Sequence, residues 1–228
     1  MNTGLKNRLE NIQARIGDAC RRSGRDPQSV ELVAVTKTHD FSTVQALIDL
    51  GVKTIGENRV QEILQKMPHL TGDFHLHMIG HLQTNKVGPV LEYAQCIQSI
   101  DREKLVKRIE DLIAPGKKID ILIEVNTSGE ESKSGCAPQE CRQLCERVIS
   151  GGVLQLKGFM TIGPISNDES RVRGAFSHLR TLSEQCSDLL PSAELSMGMS
   201  GDFEWAIAEG STMVRVGSLL LGERNYNA

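Results

Sequence analysis

The sequence is poor in aromatic residues, nearly balanced in charge and without a long apolar run. Aromatic residues make up 4% of the 228 residues, and the formal net charge is −3. A base-stacking surface needs aromatic side chains, and attraction to nucleic acid or anionic lipid needs excess positive charge. No stretch is apolar for the length of a bilayer, and Met1 to Arg22 is polar and amphipathic, unlike a signal peptide. The composition therefore predicts a cytoplasmic protein that binds neither nucleic acid nor membrane.

The sequence also lacks a C-x-x-C pair, although it contains six cysteines. Cys141 and Cys145 have the spacing of one helix face and could serve a metal ion, but no second pair of ligands accompanies them. His75, His77 and His81 form another candidate group, and no carboxylate stands at a defined spacing from them. Free thiols and satisfied histidines are the preferred interpretation, so we expect no resident metal ion.

Apolar, strand-like runs alternate with amphipathic helices eight times along the chain. The first run is Leu32 to Thr36 and the last is Met213 to Val216. No linker or low-complexity tract separates the units. This pattern predicts a (β/α)8 TIM barrel, a single domain over residues 1–228, preceded by an extra N-terminal helix. A doubly wound open sheet is the alternative, and the absence of G-x-G-x-x-G after the first strand argues against it.

Lys37 follows the first apolar run directly. Burying an unpaired ammonium group costs several kcal/mol, so a lysine here either reaches solvent or uses its amine for chemistry. In a TIM barrel the chemistry lies at the carboxyl ends of the strands, which is where Lys37 is expected. The position alone leaves both interpretations open.

Two turns at the ends of the seventh and eighth strands could bind a phosphate. Residues 196–202 form a glycine-rich turn that leads into a helix, with Ser200 in it, and residues 214–218 form a second turn with Gly217 and Ser218. Backbone N–H groups, serine hydroxyls and the positive end of a helix all favour a phosphate. TIM barrels often bind phosphate between these two loops, although ordinary loop residues would look the same.

Arg215 lies in a Val-Arg-Val alternation, which places it on the face opposite its two valine neighbours. An arginine inside a barrel needs a partner, and either Glu57 or an atom of a ligand could serve. A strand-end lysine, a phosphate site and an interior arginine together fit a phosphorylated aldehyde held as a Schiff base. Pyridoxal 5′-phosphate meets that description.

Several motifs, in order over nearly the whole chain, closely resemble those of the pyridoxal phosphate homeostasis protein family. They are V-A-V-T-K at Val33 to Lys37, I-G-E-N-R-V-Q at Ile55 to Gln61, H-M-I-G-H-L-Q-T-N-K at His77 to Lys86, E-V-N at Glu124 to Asn126, K-G-F-M-T-I at Lys157 to Ile162, S-M-G-M-S at Ser196 to Ser200, and G-S-T-M-V-R-V-G at Gly210 to Gly217.

This resemblance implies a barrel similar to the N-terminal barrel of alanine racemase, with pyridoxal 5′-phosphate as its cofactor. It implies that Lys37 forms the Schiff base and that Arg215 is the partner of the pyridine nitrogen. The other implied binding residues are the phosphate ligands Ser200, Gly217 and Ser218 and the ring neighbours Asn58 and Met160.

The resemblance also implies a binding protein that buffers the cofactor and passes it to apo-enzymes, and we expect a monomer or weak dimer. An arginine facing the pyridine nitrogen keeps it unprotonated, which makes the ring a poorer electron sink. Racemases of this arrangement add an acid or base from another domain, and we expect none here, since the chain ends at Ala228. The alternatives are an amino-acid racemase and an aldolase that uses Lys37 directly on a sugar phosphate.

Overall fold

The computed structural model describes residues 3–222, which contain a closed barrel of eight parallel strands. Each strand pairs with the next along the chain, and β1 also pairs with β8 to close the ring. The predicted TIM barrel is therefore confirmed, and the open-sheet alternative is wrong. The strands are β1 (Glu31–Val35), β2 (Thr54–Glu57), β3 (His75–Met78), β4 (Cys96–Ile100), β5 (Ile119–Glu124), β6 (Leu154–Met160), β7 (Glu194–Met199) and β8 (Met213–Val216).

Helices surround the barrel, and one more precedes it. None of the helices within residues 3–222 is long and apolar enough to cross a membrane. The helices are α1 (Thr3–Arg22), α2 (Phe41–Asp49), α3 (Val60–Lys66), α4 (Val87–Tyr93), α5 (Glu103–Leu112), α6 (Cys141–Gly151), α7 (Glu169–Gln185), α8 (Phe203–Ala208) and α9 (Ser218–Leu221).

The strands are apolar runs because both of their faces are covered. Outward side chains pack beneath the helices and inward ones fill the barrel, so a buried strand such as β5 is rich in isoleucine and leucine. The interior also contains polar side chains, among them Gln98, Ser196 and Arg215, which are all buried. Buried polar groups need partners, and these three bond to one another.

The N-terminal helix is confirmed as α1, and it packs against α8 and α9, the helices that follow the last two strands. Its apolar face recurs every three or four residues, as the sequence predicts. Arg15 of α1 lies 3.2 Å from a carboxylate oxygen of Glu204 and stacks over the ring of Phe203 at 4.8 Å. The helix therefore supports the part of the barrel that carries both predicted phosphate turns. Its buried residues include Leu5, Leu9, Ile12, Ile16 and Cys20.

Candidate functional site

A cavity of about 350 Å³ opens at the carboxyl ends of the strands. Six of the seven residues predicted from the sequence line it: Lys37, Asn58, Ser200, Arg215, Gly217 and Ser218. They come from loops after β1, β2, β7 and β8 and from β8 itself. Small-molecule sites typically measure about 300–1,000 Å³, so the cavity suits a ligand of cofactor size.

Met160 is the predicted residue that the structure does not bring to the cavity. It is fully buried at the end of β6, where it packs with Cys96 and Leu122 inside the barrel. Ile162, two residues further along, lines the cavity and packs against this small cluster. A contact between Met160 and a bound ring therefore stays a prediction, without support from the cavity wall.

The loop that carries Lys37 is held on both sides of the lysine. The Thr36 hydroxyl donates to Glu57 Oε1 at 2.6 Å, and the Thr36 carbonyl accepts from Lys66 Nζ at 2.8 Å. On the other side, the Thr38 N–H donates to Glu62 Oε2 at 2.6 Å. Thr38 has a φ of 68°, a left-handed conformation that is uncommon outside glycine. These bonds offset its cost and fix the direction in which Lys37 leaves the strand.

Lys66 is the centre of this network. Its ammonium group is buried and lies 2.7 Å from Glu57 Oε1 and 2.7 Å from Glu62 Oε2. Burial raises the pKa of Glu57, and the neighbouring charge of Lys66 acts in the opposite direction. Glu57 is therefore the partner of Lys66, and the suggestion that it pairs with Arg215 is wrong.

Arg215 is held by neutral groups inside the barrel. Its Nη1 donates to Ser196 Oγ at 2.7 Å, and its Nη2 donates to the Thr161 carbonyl at 2.8 Å. Ser196 Oγ donates in turn to Gln98 Oε1 at 2.6 Å, and Gln98 Nε2 lies 2.8 Å from Nδ1 of His77. This chain of hydrogen bonds crosses the barrel from β8 to β3 and fixes the guanidinium group at the floor of the cavity.

Arg215 remains a cation at neutral pH. Burial lowers its pKa to about 10, while the charges of Glu124 and Asp202 act to raise it. His77, at the far end of the hydrogen-bond chain, is neutral, because burial lowers its pKa to about 4. The floor of the cavity therefore presents one permanent positive charge to any ligand.

The two predicted phosphate turns meet at Ser200. Its hydroxyl oxygen accepts from the N–H of Gly217 at 3.3 Å and from the N–H of Leu219 at 3.5 Å. Both distances are long for such bonds, so these two N–H groups are available to a better acceptor, such as an oxygen of a ligand. Gly198 allows the close approach to α8: its φ is 94°, and a Cβ there would lie 2.6 Å from Cβ of Ala206.

Asn58 offers a polar atom that the protein leaves unsatisfied. Its Oδ1 is buried and has no hydrogen-bond partner among residues 3–222, which is costly unless a ligand supplies a donor. Gly80 presses against the same residue, because a Cβ at Gly80 would lie 2.2 Å from the Asn58 carbonyl oxygen. The backbone of Asn58 is thus held in place by Gly80, and its amide oxygen is available to a ligand. This combination is expected of a binding residue.

Several lining residues were not predicted. The lining residues next to Lys37 and Ser200 could have been inferred from their position on the same loops. The apolar residues that follow β3 and β6 could not, since the protein core and the cavity walls use the same kinds of side chain. The lining residues outside the predicted set are Val35, Thr38, His39, Ile79, Ile162, Met199, Gly201 and Gly222, of which Met199 and Gly201 lie in the predicted turn of residues 196–202.

Comparison with known proteins identifies the family of this chain. The profile of the alanine racemase N-terminal domain matches residues 8–225. The chain is 39% identical over 222 residues to the pyridoxal phosphate homeostasis protein of Pseudomonas aeruginosa, covering 96% of each. The structure of PipY from Synechococcus elongatus with PLP bound superposes with a TM-score of 0.82 at 29% identity, covering 96% of this chain and 100% of PipY.

The likeness to full-length racemases is one of fold. Alanine racemase from Corynebacterium glutamicum has a TM-score of 0.70 at 14% identity, and the match covers 96% of this chain but 63% of that enzyme. The P. aeruginosa relative, in contrast, is covered almost completely and shares more than a third of its residues. The chain therefore belongs to the pyridoxal phosphate homeostasis protein family and has the fold of the alanine racemase N-terminal domain.

Proposed function

We propose that the cavity binds pyridoxal 5′-phosphate as a Schiff base with Lys37, and that the protein holds this cofactor for intracellular homeostasis without robust catalysis. One observation carries the proposal: a lysine, a buried arginine and two hydrogen-bonded turns line a single cavity. Family membership supports it, and so does PipY, a relative with PLP bound.

The residues of the cavity fit the parts of this cofactor. The amine of Lys37 can condense with the aldehyde, and the bound cofactor then supplies its electrophilic imine. Ser200, Gly217 and Ser218 offer hydroxyl and N–H donors to the phosphate. Asn58 offers its unsatisfied Oδ1 to a donor on the ligand. These residues therefore offer partners of suitable chemistry to the aldehyde and to the phosphate of the cofactor.

Arg215 favours holding the cofactor over transforming substrates. A guanidinium group that is charged at neutral pH opposes protonation of a pyridine nitrogen beside it. An unprotonated ring withdraws electrons weakly, so carbanions next to the imine carbon gain little stabilisation. We therefore propose a non-catalytic role in which Lys37 protects a reactive aldehyde until an apo-enzyme takes it.

We extend the proposal to the setting in which the protein acts. Its six cysteines are free and buried, as is usual in a reducing compartment, which supports a cytoplasmic location. The family profile matches residues 8–225 as one unit, which supports a single domain. The recipients we propose are PLP-dependent apo-enzymes, and the protein itself acts as a monomer or weak dimer.

Absorbance and borohydride trapping test the binding site. We expect the purified protein, supplied with pyridoxal 5′-phosphate, to absorb as a Schiff base and to give one reduced adduct, on Lys37, in peptide maps. Lys37→Ala should abolish the adduct. Lys133→Ala is the matched control, because Lys133 is another partly buried lysine at the same end of the barrel. A colourless protein, or an adduct on another lysine, would contradict the assignment.

An amino-acid racemase is the second candidate, and His39 is the observation that favours it. His39 lines the cavity, and burial and the charge of Lys66 lower its pKa, so the imidazole can accept a proton at neutral pH. It lies on the same loop as Lys37, however, whereas two-base racemisation needs groups on opposite faces. Incubation with single L-amino acids separates the candidates: sustained formation of D-enantiomers that His39→Ala removes would establish the enzyme.

A further inference from the structure

Three cysteine thiols meet on the outside of the barrel. Within residues 3–222, Cys141, Cys145 and Cys186 are the only three histidine, cysteine, aspartate or glutamate side chains whose ligand atoms lie within 4.8 Å of one another. All three are buried, and none lines the cavity that holds Lys37. The group is thus separate from the proposed cofactor site.

The fold supplies the third thiol, which the sequence pattern does not reveal. Cys141 and Cys145 lie one turn apart on α6, and Cys186 caps the C-terminus of α7. Arg142 joins the two helices: it donates to the Gln185 carbonyl at 3.1 Å and lies 2.7 Å from Asp188 Oδ2. The contact holds Cys186 against α6, so the three sulfur atoms occupy fixed positions.

We propose that Cys141, Cys145 and Cys186 form a binding site for a thiophilic d10 metal ion, Zn²⁺ or Cu⁺. Sulfur ligands at about 2.3 Å from a tetrahedral Zn²⁺ lie about 3.8 Å apart, so the observed group needs to contract by less than about 1 Å. Soft thiolates select these ions over hard cations such as Mg²⁺.

The surroundings of the thiols provide access for an ion. A cavity of about 290 Å³ reaches Cys141 and Cys186 from the side of His178, so an ion and the water that completes its coordination can enter. Arg142 lines the same cavity, where its ion pair with Asp188 fixes the wall beside the thiols.

Proton release accompanies binding. Each thiol that ligates the ion loses its proton to solvent, and no oxidant or reductant takes part. A hydrogen bond from Cys141 lowers the pKa of the Cys145 thiol, and the charge of Arg142 acts in the same direction. The Cys141 thiol itself has a raised pKa, chiefly because of its hydrogen bonds to Cys136 and Cys145.

Metal titration of the reduced, full-length protein tests the site. We expect one equivalent of Zn²⁺ to bind in competition with a chromophoric chelator, or one equivalent of Cu⁺ to bind under anaerobic conditions. Either result supports the site and names its ion. Co²⁺, added as a spectroscopic probe, should show sulfur-to-metal charge-transfer bands. Failure of both ions to bind stoichiometrically, with no such bands, would overturn the proposal.

Matched variants assign the ligands. Cys145→Ala should weaken binding at least tenfold and remove the charge-transfer bands, while Cys20→Ala, at another buried cysteine, should leave both unchanged. If Cys145→Ala fails to fold, Cys186→Ala at the helix end serves instead. Unchanged affinity in the variant that folds would overturn the assignment. Lys37→Ala should bind the ion as well as the original protein does, so the result is independent of the proposed cofactor function.

Discussion

Glu124 shows how a single residue ties the stability of the barrel to pH. It is buried at the end of β5, and its Oε2 has no hydrogen-bond partner within the described residues. Burial raises its pKa from 4.5 to about 7, the charge of Asp101 acts in the same direction, and Arg215 opposes both. Between pH 4.5 and about 7, the carboxyl group of Glu124 is therefore mostly protonated in the folded protein and mostly ionised in the unfolded chain.

This shift predicts that Glu124→Gln stabilises the protein at alkaline pH. The contribution of the protonated Glu124 is complete below pH 4.5 and is lost as the pH rises to about 7, because only the unfolded chain ionises in that interval. The shift corresponds to about 3 kcal/mol. Allowing for the new amide donors, we expect Glu124→Gln to raise the free energy of unfolding by about 2 kcal/mol at pH 8 and little at pH 4.5.

Urea denaturation at several pH values measures this difference. Comparison of the variant with the original protein cancels the other buried groups, including His77, whose lowered pKa changes stability with the opposite sign. Glu10→Gln, at an exposed carboxylate of α1, is the matched control and should show no such trend. Equal effects of Glu124→Gln at pH 4.5 and pH 8 would show that the carboxyl group ionises normally.

At the scale of elements, α3 positions the loop between β1 and α2. Glu62 and Lys66 stand one helical turn apart, and together they bond the residues on both sides of Lys37. Neither residue could be predicted as part of the site, since their role depends on α3 lying against β1 and β2. The helix itself was predictable from its periodicity, but an exposed-looking Glu and Lys four residues apart usually form a surface pair.

Glu62→Ala tests whether the loop is held from α3. The substitution removes the acceptor of the Thr38 N–H while Lys66 keeps Glu57, so we expect the fold to persist and the loop to lose its left-handed turn. A hydrogen bond to a charged group contributes about 1.5–3 kcal/mol. Affinity for pyridoxal 5′-phosphate should therefore fall by about tenfold or more, as measured by absorbance titration.

The control for this experiment is Glu10→Ala, which removes a carboxylate from an exposed lysine pair with the same four-residue spacing. It should change neither affinity nor stability appreciably, because exposed pairs contribute about 0–1 kcal/mol. If Glu62→Ala binds the cofactor as tightly as the original protein, the strand end alone orients Lys37.

At the scale of the whole molecule, the barrel was predictable and several of its long-range contacts were not. Each strand and helix carries a local signal, so eight repeats suffice to indicate the architecture. The position of Met160 depends on β6, whose pairing with β5 shifts register between Ile121 and Leu122. Such a shift changes which side chains face inward, and no local pattern reports it. The meeting of Cys186 with α6 is likewise a product of packing.

The N-terminal helix is the clearest case in which packing gives an element its role. Its apolar face belongs to the same continuous core as the barrel helices, and it contacts α8 and α9 behind the two predicted phosphate turns. A helix that packed outside this core would unfold independently of the barrel. A helix that shares the core should unfold together with the barrel.

Ile12→Ala tests this coupling in the protein loaded with pyridoxal 5′-phosphate. Ile12 is 1% exposed, and such a truncation costs about 2–5 kcal/mol, which lowers Tm by about 10 °C in a domain of this size. We expect far-ultraviolet circular dichroism and cofactor absorbance to lose their signals at the same, lowered temperature. Gln13→Ala, at the exposed neighbouring position, should leave Tm nearly unchanged. If part of the helical signal is lost before the cofactor absorbance, α1 unfolds on its own and the predicted phosphate turns do not depend on it.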